Sequence, residues 1–116
     1  MSTPTSPLFD INVVDAGDLV LLRARGELDL NTAPGLDRVL VPLHPRRCEL
    51  DFAEVPFTDS TGINLLVRHQ QLAADAGGSL RLIAVSGPVR RVLDISGTAR
   101  LLLATPEPPP TEATDS

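Results

Sequence analysis

The sequence of 116 residues contains no lysine. Its 10 basic residues are all arginines, and 15 acidic residues outnumber them to give a formal net charge of -5. Without a lysine amine, the chain offers neither a Schiff-base nucleophile nor the phosphate anchor of a P-loop. The acidic balance also argues against binding to the phosphate backbone of nucleic acids as the main activity.

Cysteine is nearly absent as well. A single thiol, Cys48, can form neither an internal disulfide nor a structural zinc site, and we expect it to pack as a small apolar side chain at the start of a strand. The two histidines, His44 and His69, are not spaced for metal binding. The sequence therefore predicts a protein without metal or other cofactors.

Long hydrophobic runs are also missing. No run approaches the ~18 apolar residues that would predict a membrane span, and Met1 to Pro7 lacks the basic and apolar regions of a secretory signal. These features predict a cytoplasmic protein with no membrane contact. The hydrophobic fraction of 42% is sufficient for the core of one domain.

Composition divides the chain into three parts. Residues 1–7 are rich in Ser, Thr and Pro and predict a flexible arm, whereas residues 8–104 alternate between strand-like and helix-like patterns. Residues 105–116 predict a disordered acidic tail, because its prolines can continue neither a helix nor a central strand.

Five apolar segments are typical of strands. The first two are joined by Asp15 to Asp18, with Gly17 at a positive φ, which predicts an antiparallel hairpin. The third lies between helices along the chain, which predicts a parallel position within the sheet. The predicted strands are Phe9–Val14, Leu19–Arg25, Cys48–Phe52, Leu80–Ala84 and Leu101–Leu103.

Three helices are predicted between these strands. Thr32 caps the first, which ends before Pro45. The second runs from Ser60 to Ala76 and ends at Gly77-Gly78, and the third runs from Gly87 to Gly97. The inward stripes are Leu36, Val39, Leu40 and Leu43, then Ile63, Leu66, Val67, Gln70 and Ala74, then Val89, Val92 and Leu93. The predicted fold is α/β, a mixed sheet of about five strands covered by three or more helices.

The segment Thr58-Asp59-Ser60-Thr61-Gly62 places hydroxyls beside a carboxylate where the second helix begins. If Asp59 caps the helix, the Ser60 hydroxyl is left projecting outward, where a kinase could reach it. Helix N-termini carry unpaired N–H groups that favour phosphate. The alternative is an ordinary capped helix start.

Enzymatic patterns around Ser60 are incomplete. Thr58 occupies the first glycine position of the Gly-x-Ser-x-Gly pattern of hydrolases, and the glycine comes one residue late for an aspartic protease. Asp51 to Glu54 lacks the second aspartate of a phosphotransfer site. We expect His44 and His69 to be surface residues, and we predict that the chain is not an enzyme.

Several motifs occur in one order along the chain. Gly26-Glu27-Leu28-Asp29 and Thr32-Ala33-Pro34 precede Asp59-Ser60-Thr61-Gly62, and Gly77-Gly78 and the segment from Val89 to Asp94 follow it. Together they resemble the STAS-domain anti-sigma factor antagonist family over residues 8–104. One departure is the Pro-rich tail, which stands where many members carry a last helix.

The resemblance implies a phosphorylation switch at Ser60, with Asp29, Thr58, Asp59, Thr61 and Gly62 forming the loop that binds the partner. In its unphosphorylated form, the protein would bind an anti-sigma factor and free a sigma factor. That anti-sigma factor would be a serine kinase with a histidine-kinase-like ATPase fold, and a PP2C-type phosphatase would reverse the modification. The resemblance is also compatible with a STAS module of a stressosome-like scaffold or of a transporter-associated complex. We expect a monomer or weak dimer.

Overall fold

Four strands form one mixed sheet in a computed structural model that describes residues 9–104. The strands are β1 (Phe9–Asp15), β2 (Val20–Gly26), β3 (Arg47–Glu54) and β4 (Ser79–Val85), in the order β1-β2-β3-β4. The first two pair antiparallel, and β3 is parallel to both β2 and β4. This arrangement confirms the predicted hairpin and the parallel strands. The predicted arm (1–7) and tail (105–116) lie outside the described residues.

The hairpin turn has the predicted glycine conformation. Gly17 adopts a φ of 95°, a region that favours glycine because it has no Cβ. Its N–H donates to Oδ1 of Asp15 at 2.9 Å. Arg46 reaches across to the same carboxylate at 2.7 Å and to the carbonyl of Gly17 at 2.6 Å. The Arg46 hydrogen bond lowers the pKa of Asp15 to about 2.

The helices are α1 (Ala33–Leu40), α2 (Ser60–Asp75), α3 (Gly87–Ser96) and α4 (Ala99–Leu102). The chain after α1 tightens into a 3₁₀ turn, Val41–Leu43, at Pro42, which has no N–H with which to continue the α-helical hydrogen bonds. Within residues 9–104, no helix is long and apolar enough to cross a membrane.

The predicted strand Leu101–Leu103 is wrong. Gly97 ends α3 with a φ of 77°, and α4 begins immediately afterwards. This short helix buries Leu102 completely. Only Leu103 pairs with the sheet, through a parallel bridge to Leu82. The apolar triplet therefore fills the core as a helical turn, which a strand-like composition alone does not reveal.

The hydrophobic core lies on one face of the sheet. Alternate residues of β3, namely Cys48, Leu50 and Phe52, are at most 2% exposed, as the two-residue period of a strand requires. Cys48 is thus buried as predicted, and burial raises the pKa of its thiol. The core continues into the buried residues of the helices. The α/β fold class is confirmed.

The buried face of α2 is wider than the predicted stripe. Ala74 is exposed, whereas Leu65, His69 and Ala73 are buried. This difference arises because α2 packs against both β4 and α1. The expectation that His69 lies at the surface is therefore wrong, since only 1% of its side chain is exposed.

Two adjacent glycines end α2 for different physical reasons. Gly77 adopts a φ of 87°, and the N–H of Gly78 donates to the carbonyl of Ala73 at 2.8 Å. This pattern is the left-handed cap that the sequence predicts. Gly78 also packs against the loop 44–46, where a Cβ would come within 2.7 Å of the carbonyl carbon of Pro45 and would clash with the carbonyl oxygens of His44 and Arg46.

We expect Gly78→Ala to destabilise the protein by about 1 to 3 kcal/mol, because the added methyl meets main chain that cannot move independently. Gly35→Ala is the control, since a Cβ at Gly35 has open space and alanine favours a helix interior. Urea unfolding would measure both changes. Equal stability of the two variants would contradict the close approach at Gly78.

Candidate functional site

Two loops lie side by side at the ends of β2 and β3. The N–H of Leu28 donates to the carbonyl of Phe57 at 3.0 Å, and the N–H of Asp59 donates to the carbonyl of Leu28 at 3.2 Å. Leu28 and Thr58 thus form a parallel bridge beyond the named strands. Parallel strands bring their carboxyl ends to one edge of a sheet, so the loop that contains Asp29 adjoins the segment from Thr58 to Gly62.

Asp59 caps α2 as predicted. Its backbone is extended, with φ -103° and ψ -174°, and its Oδ1 accepts from the N–H of Gly62 at 3.0 Å. Its main-chain carbonyl accepts from Ile63 at 3.1 Å. A carboxylate at this position also interacts favourably with the positive end of the helix dipole. Ser60 is therefore the first residue of the helix and lies exposed at its end.

The three hydroxyls of the segment have different environments. Thr58 is only 1% exposed, and its hydroxyl donates to the carbonyl of Asp59 at 3.3 Å. Thr61 is half-buried, whereas Ser60 is exposed. A kinase could therefore reach Ser60 without disturbing the core.

Gly62 is required by close packing against the neighbouring loop. A Cβ on this residue would lie 2.8 Å from Cγ of Leu28 and would clash with Oγ1 of Thr58. Both of those side chains are buried. The glycine thus allows the first turn of α2 to sit against the bridge between Leu28 and Thr58.

Asp29 shapes its own loop. Its Oδ1 accepts from the N–H groups of Asn31 and Thr32 at 2.9 and 3.1 Å. The hydroxyl of Thr32 donates to the carbonyl of Glu27 at 2.8 Å. Thr32 occupies the predicted cap position of α1, but its side chain makes no capping hydrogen bond to that helix. This loop leaves Leu30 on the surface with 68% of its area exposed.

A groove of about 420 Å³ runs between α1 and α2 and begins at Thr61, next to Ser60. Apolar and polar side chains both line it, and on its wall the guanidinium of Arg68 donates to Asp37 at 2.9 Å. We call it the α1–α2 groove. Its lining consists of Leu30, Ala33, Pro34, Asp37, Thr61, Asn64, Leu65 and Arg68.

Asp37 also contacts His69, which in turn contacts His44. Nε2 of His69 lies 2.7 Å from Oδ1 of Asp37, and Nδ1 of His69 lies 2.7 Å from Nε2 of His44. The hydrogen bond from His69 lowers the pKa of Asp37, and Arg68 adds to that shift while burial opposes it. Because both ring nitrogens of His69 are already bonded, neither is available to Ser60 as a base.

The sequence did not predict some features of this site. Leu30 and Phe57, 68% and 45% exposed, give the surface around Ser60 an apolar character. Asp37, Arg68 and His69 meet across two helices. No spacing in the sequence predicts this contact, because Asp37 lies 31 and 32 residues before Arg68 and His69.

We expect Asp59→Ala to cost about 1 kcal/mol in the free energy of unfolding, because the N–H of Gly62 loses its acceptor. Asp59→Asn is the matched control, since asparagine retains an acceptor oxygen at the cap. Urea unfolding of both variants would measure the difference. If Asn and Ala lowered stability equally, the capping role of Asp59 would be wrong.

Comparisons with known proteins identify the family of the chain. A family model described as Mlab, STAS domain matches residues 11–104. An anti-sigma-B factor antagonist of Bacillus subtilis is 36% identical over 91 residues, which cover 77% of this chain and 84% of that protein.

Solved structures share the fold. An anti-sigma factor antagonist from Mycobacterium paratuberculosis has a TM-score of 0.72 at 23% identity, with 90% of this chain and 92% of that chain covered. The phosphorylated form of the Bacillus cell fate determinant SpoIIAA has a TM-score of 0.61 at 21% identity, with coverage of 84% and 92%. Anti-sigma factor antagonists are regulatory binding proteins rather than enzymes. The chain belongs to the STAS-domain family of anti-sigma factor antagonists.

Proposed function

We propose that the chain binds an anti-sigma factor through the surface around Ser60, and that phosphorylation of Ser60 switches this binding off. The observation that carries the proposal is the placement of an exposed serine at the start of α2, beside the exposed apolar residues Leu30 and Phe57. A free hydroxyl is compatible with an apolar contact surface. A phosphate at the same position is not.

Ser60 is the acceptor that the local geometry favours. Thr58 is buried, and Thr61 is half-buried and lines the groove. The structural relative SpoIIAA was solved in a phosphorylated form, which supports the same kind of chemistry here.

The switch follows from charge. Phosphoserine carries about -1.5 to -2 charges at neutral pH, and on Ser60 it would stand next to the carboxylate of Asp59. Placing this charge in an interface without a cationic partner costs about 3 to 5 kcal/mol. That energy corresponds to a loss of affinity of about a hundredfold to several thousandfold. No larger change of conformation is needed to release the partner.

The partners follow from the family. The anti-sigma factor would also be the serine kinase, with a histidine-kinase-like ATPase fold, and its sequestration would free a sigma factor. A PP2C-type phosphatase would restore the unphosphorylated form. ATP and its metal ion belong to the kinase, so this chain contributes only the hydroxyl and the docking surface. We place the exchange in the cytoplasm, where ATP is available, with this chain as a monomer or weak dimer.

A second setting is a STAS module of a transporter-associated complex or of a stressosome-like scaffold. The sigma-factor pathway and this second setting differ in what the Ser60 surface binds, so a pull-down with the kinase separates them.

We expect the wild type to gain one phosphate when mixed with its cognate kinase and ATP, and Ser60→Ala to remain unmodified while still binding the kinase. Ser60→Asp should bind at least tenfold more weakly, because it places a permanent charge in the interface. Intact mass spectrometry and a pull-down would measure these results. Phosphorylation of Ser60→Ala at the wild-type rate would refute the acceptor assignment, and undiminished binding of Ser60→Asp would refute the switch.

Leu30→Ser tests the apolar part of the surface. We expect it to weaken kinase binding by about tenfold or more, since a desolvated aliphatic anchor contributes at least ~1.4 kcal/mol, while the free energy of unfolding changes little. Ile95→Ser on α3 is the control, because Ile95 is also exposed, at 78% against 68% for Leu30. Titration calorimetry would compare the two affinities. If both variants bound like the wild type, Leu30 would lie outside the interface.

A further inference from the structure

His69 and Cys48 are buried ionisable side chains among residues 9–104 that the proposed phosphorylation switch does not use, and His69 is the one of the two that bonds to other ionisable side chains. Its ring lies between α1 and the loop 44–46, with Asp37 on one nitrogen and His44 on the other, each at 2.7 Å. The ring centroids of the two histidines are 4.9 Å apart. This pair therefore links the wall of the α1–α2 groove to the loop 44–46.

The hydrogen bonds of His44 and His69 limit the number of protons that the two rings can bind. An ionised carboxylate only accepts, so Nε2 of His69 must carry the proton that it shares with Asp37. The short contact between the two rings then needs one proton, donated by either histidine. One additional proton can bind at Nδ1 of His44 without breaking a bond. A second would place two N–H groups face to face between the rings, and the contact between His44 and His69 would break.

The neighbouring residues do not stabilise the state in which two N–H groups face each other between the rings. Arg68 lies behind Asp37 and is itself a cation, and Arg46 of the loop is already bound to Asp15. The buried residues that β4 and α4 contribute to the core are apolar: Leu80, Leu82 and Leu102. The other charged side chains of elements packed against α2 are Arg38 and Arg100, which are exposed, and Arg81, which lies on the opposite side of β4 from Leu80 and Leu82. Burial lowers the pKa of His69, and the carboxylate of Asp37 opposes that shift.

We propose that His44 and His69 form a proton-controlled latch: one hydrogen bond fastens the loop 44–46 to α2, and protonation of both rings releases that loop. His44 is the half-buried partner and lies in a loop, so it is the ring that moves. His69 then remains beside Asp37 as an imidazolium. The carboxylate of Asp37, which paired with one cation, Arg68, before protonation, then pairs with two cations, Arg68 and His69.

Protonation of His69 also changes the charge near the α1–α2 groove. This step rests on the proposed function, because it takes the groove as part of the surface that binds the partner. Before protonation, Arg68 and Asp37 balance one another on the groove wall. Once His69 is charged, one buried positive charge lies directly behind Asp37, and the carboxylate of Asp37 no longer balances Arg68 alone. The latch would therefore make the groove more favourable to acidic groups as the pH falls.

The direction of the pH effect on stability follows from linkage. In the unfolded chain both histidines take up protons near pH 6.5, whereas the folded pair accepts only one with its bond intact. The unfolded state therefore binds more protons as the pH falls below about 6.5, and the folded state loses stability there. One proton of difference changes the folding equilibrium constant by up to about tenfold per pH unit.

His69→Gln separates the latch from simple packing. The glutamine amide can donate to Asp37 through its N–H and accept from His44 through its carbonyl, so both bonds survive without a titrating ring. We expect the wild type to lose about tenfold in its folding constant between pH 7 and pH 5.5, and His69→Gln to lose threefold or less. Urea unfolding at both pH values would measure this, and equal losses in the two proteins would overturn the proposal.

Nitrogen-15 NMR of the histidine rings gives a second test that needs no variant and no partner. At pH 7.5 we expect both neutral histidines as Nε2–H tautomers. Below pH 6 we expect the amides of His44 and Arg46 to have lower protection factors, which are corrected for the intrinsic exchange rate, than at pH 7.5. A proton on Nδ1 of neutral His69, or unchanged protection factors at His44 and Arg46, would refute the latch. Because neither experiment contains the kinase, failure of the proposed function would leave these results unaffected.

Discussion

The pairing of two loops through Leu28 holds the candidate site together. Its N–H and carbonyl bond to Phe57 and Asp59, and this short extension of parallel pairing fixes where α2 begins. Gly62 then fits against the side chain of Leu28. Each of these contacts is local, but together they decide that Ser60, rather than Thr58, faces outward. The exposure of the proposed phosphorylation site therefore depends on main-chain hydrogen bonds of its neighbours.

Local signals were sufficient for most of the fold. The hairpin, the cap by Asp59 and the left-handed glycines Gly77 and Gly97 each depend on residues close in sequence, and the alternation of strands with helices along the chain predicts the parallel strands. The segment Leu101–Leu103 was mispredicted because a short apolar run suits either a strand or a buried helical turn. Tertiary packing, which places Leu102 in the core, decides between them.

The site was only partly accessible from the sequence for a related reason. Ser60 and Asp59 are neighbours, and their relationship can be seen without a structure. Asp37 and His69 are 32 residues apart, and they meet only because α1 and α2 pack side by side. Histidine is intermediate between the mostly buried and the mostly exposed residue types, so the burial of His69 has no signature in a single sequence.

The face of the sheet opposite the helices has a further consequence. Its charged residues form cross-strand pairs such as Arg23 with Asp51 and Arg25 with Glu54, at 3.5 and 3.2 Å, which are worth little to stability in water. The residues of the proposed switch lie instead at the helix layer and the loops that join it to the sheet. Substitutions that change the charge of the sheet face opposite the helices should therefore alter the net charge of the protein while leaving the proposed switch intact.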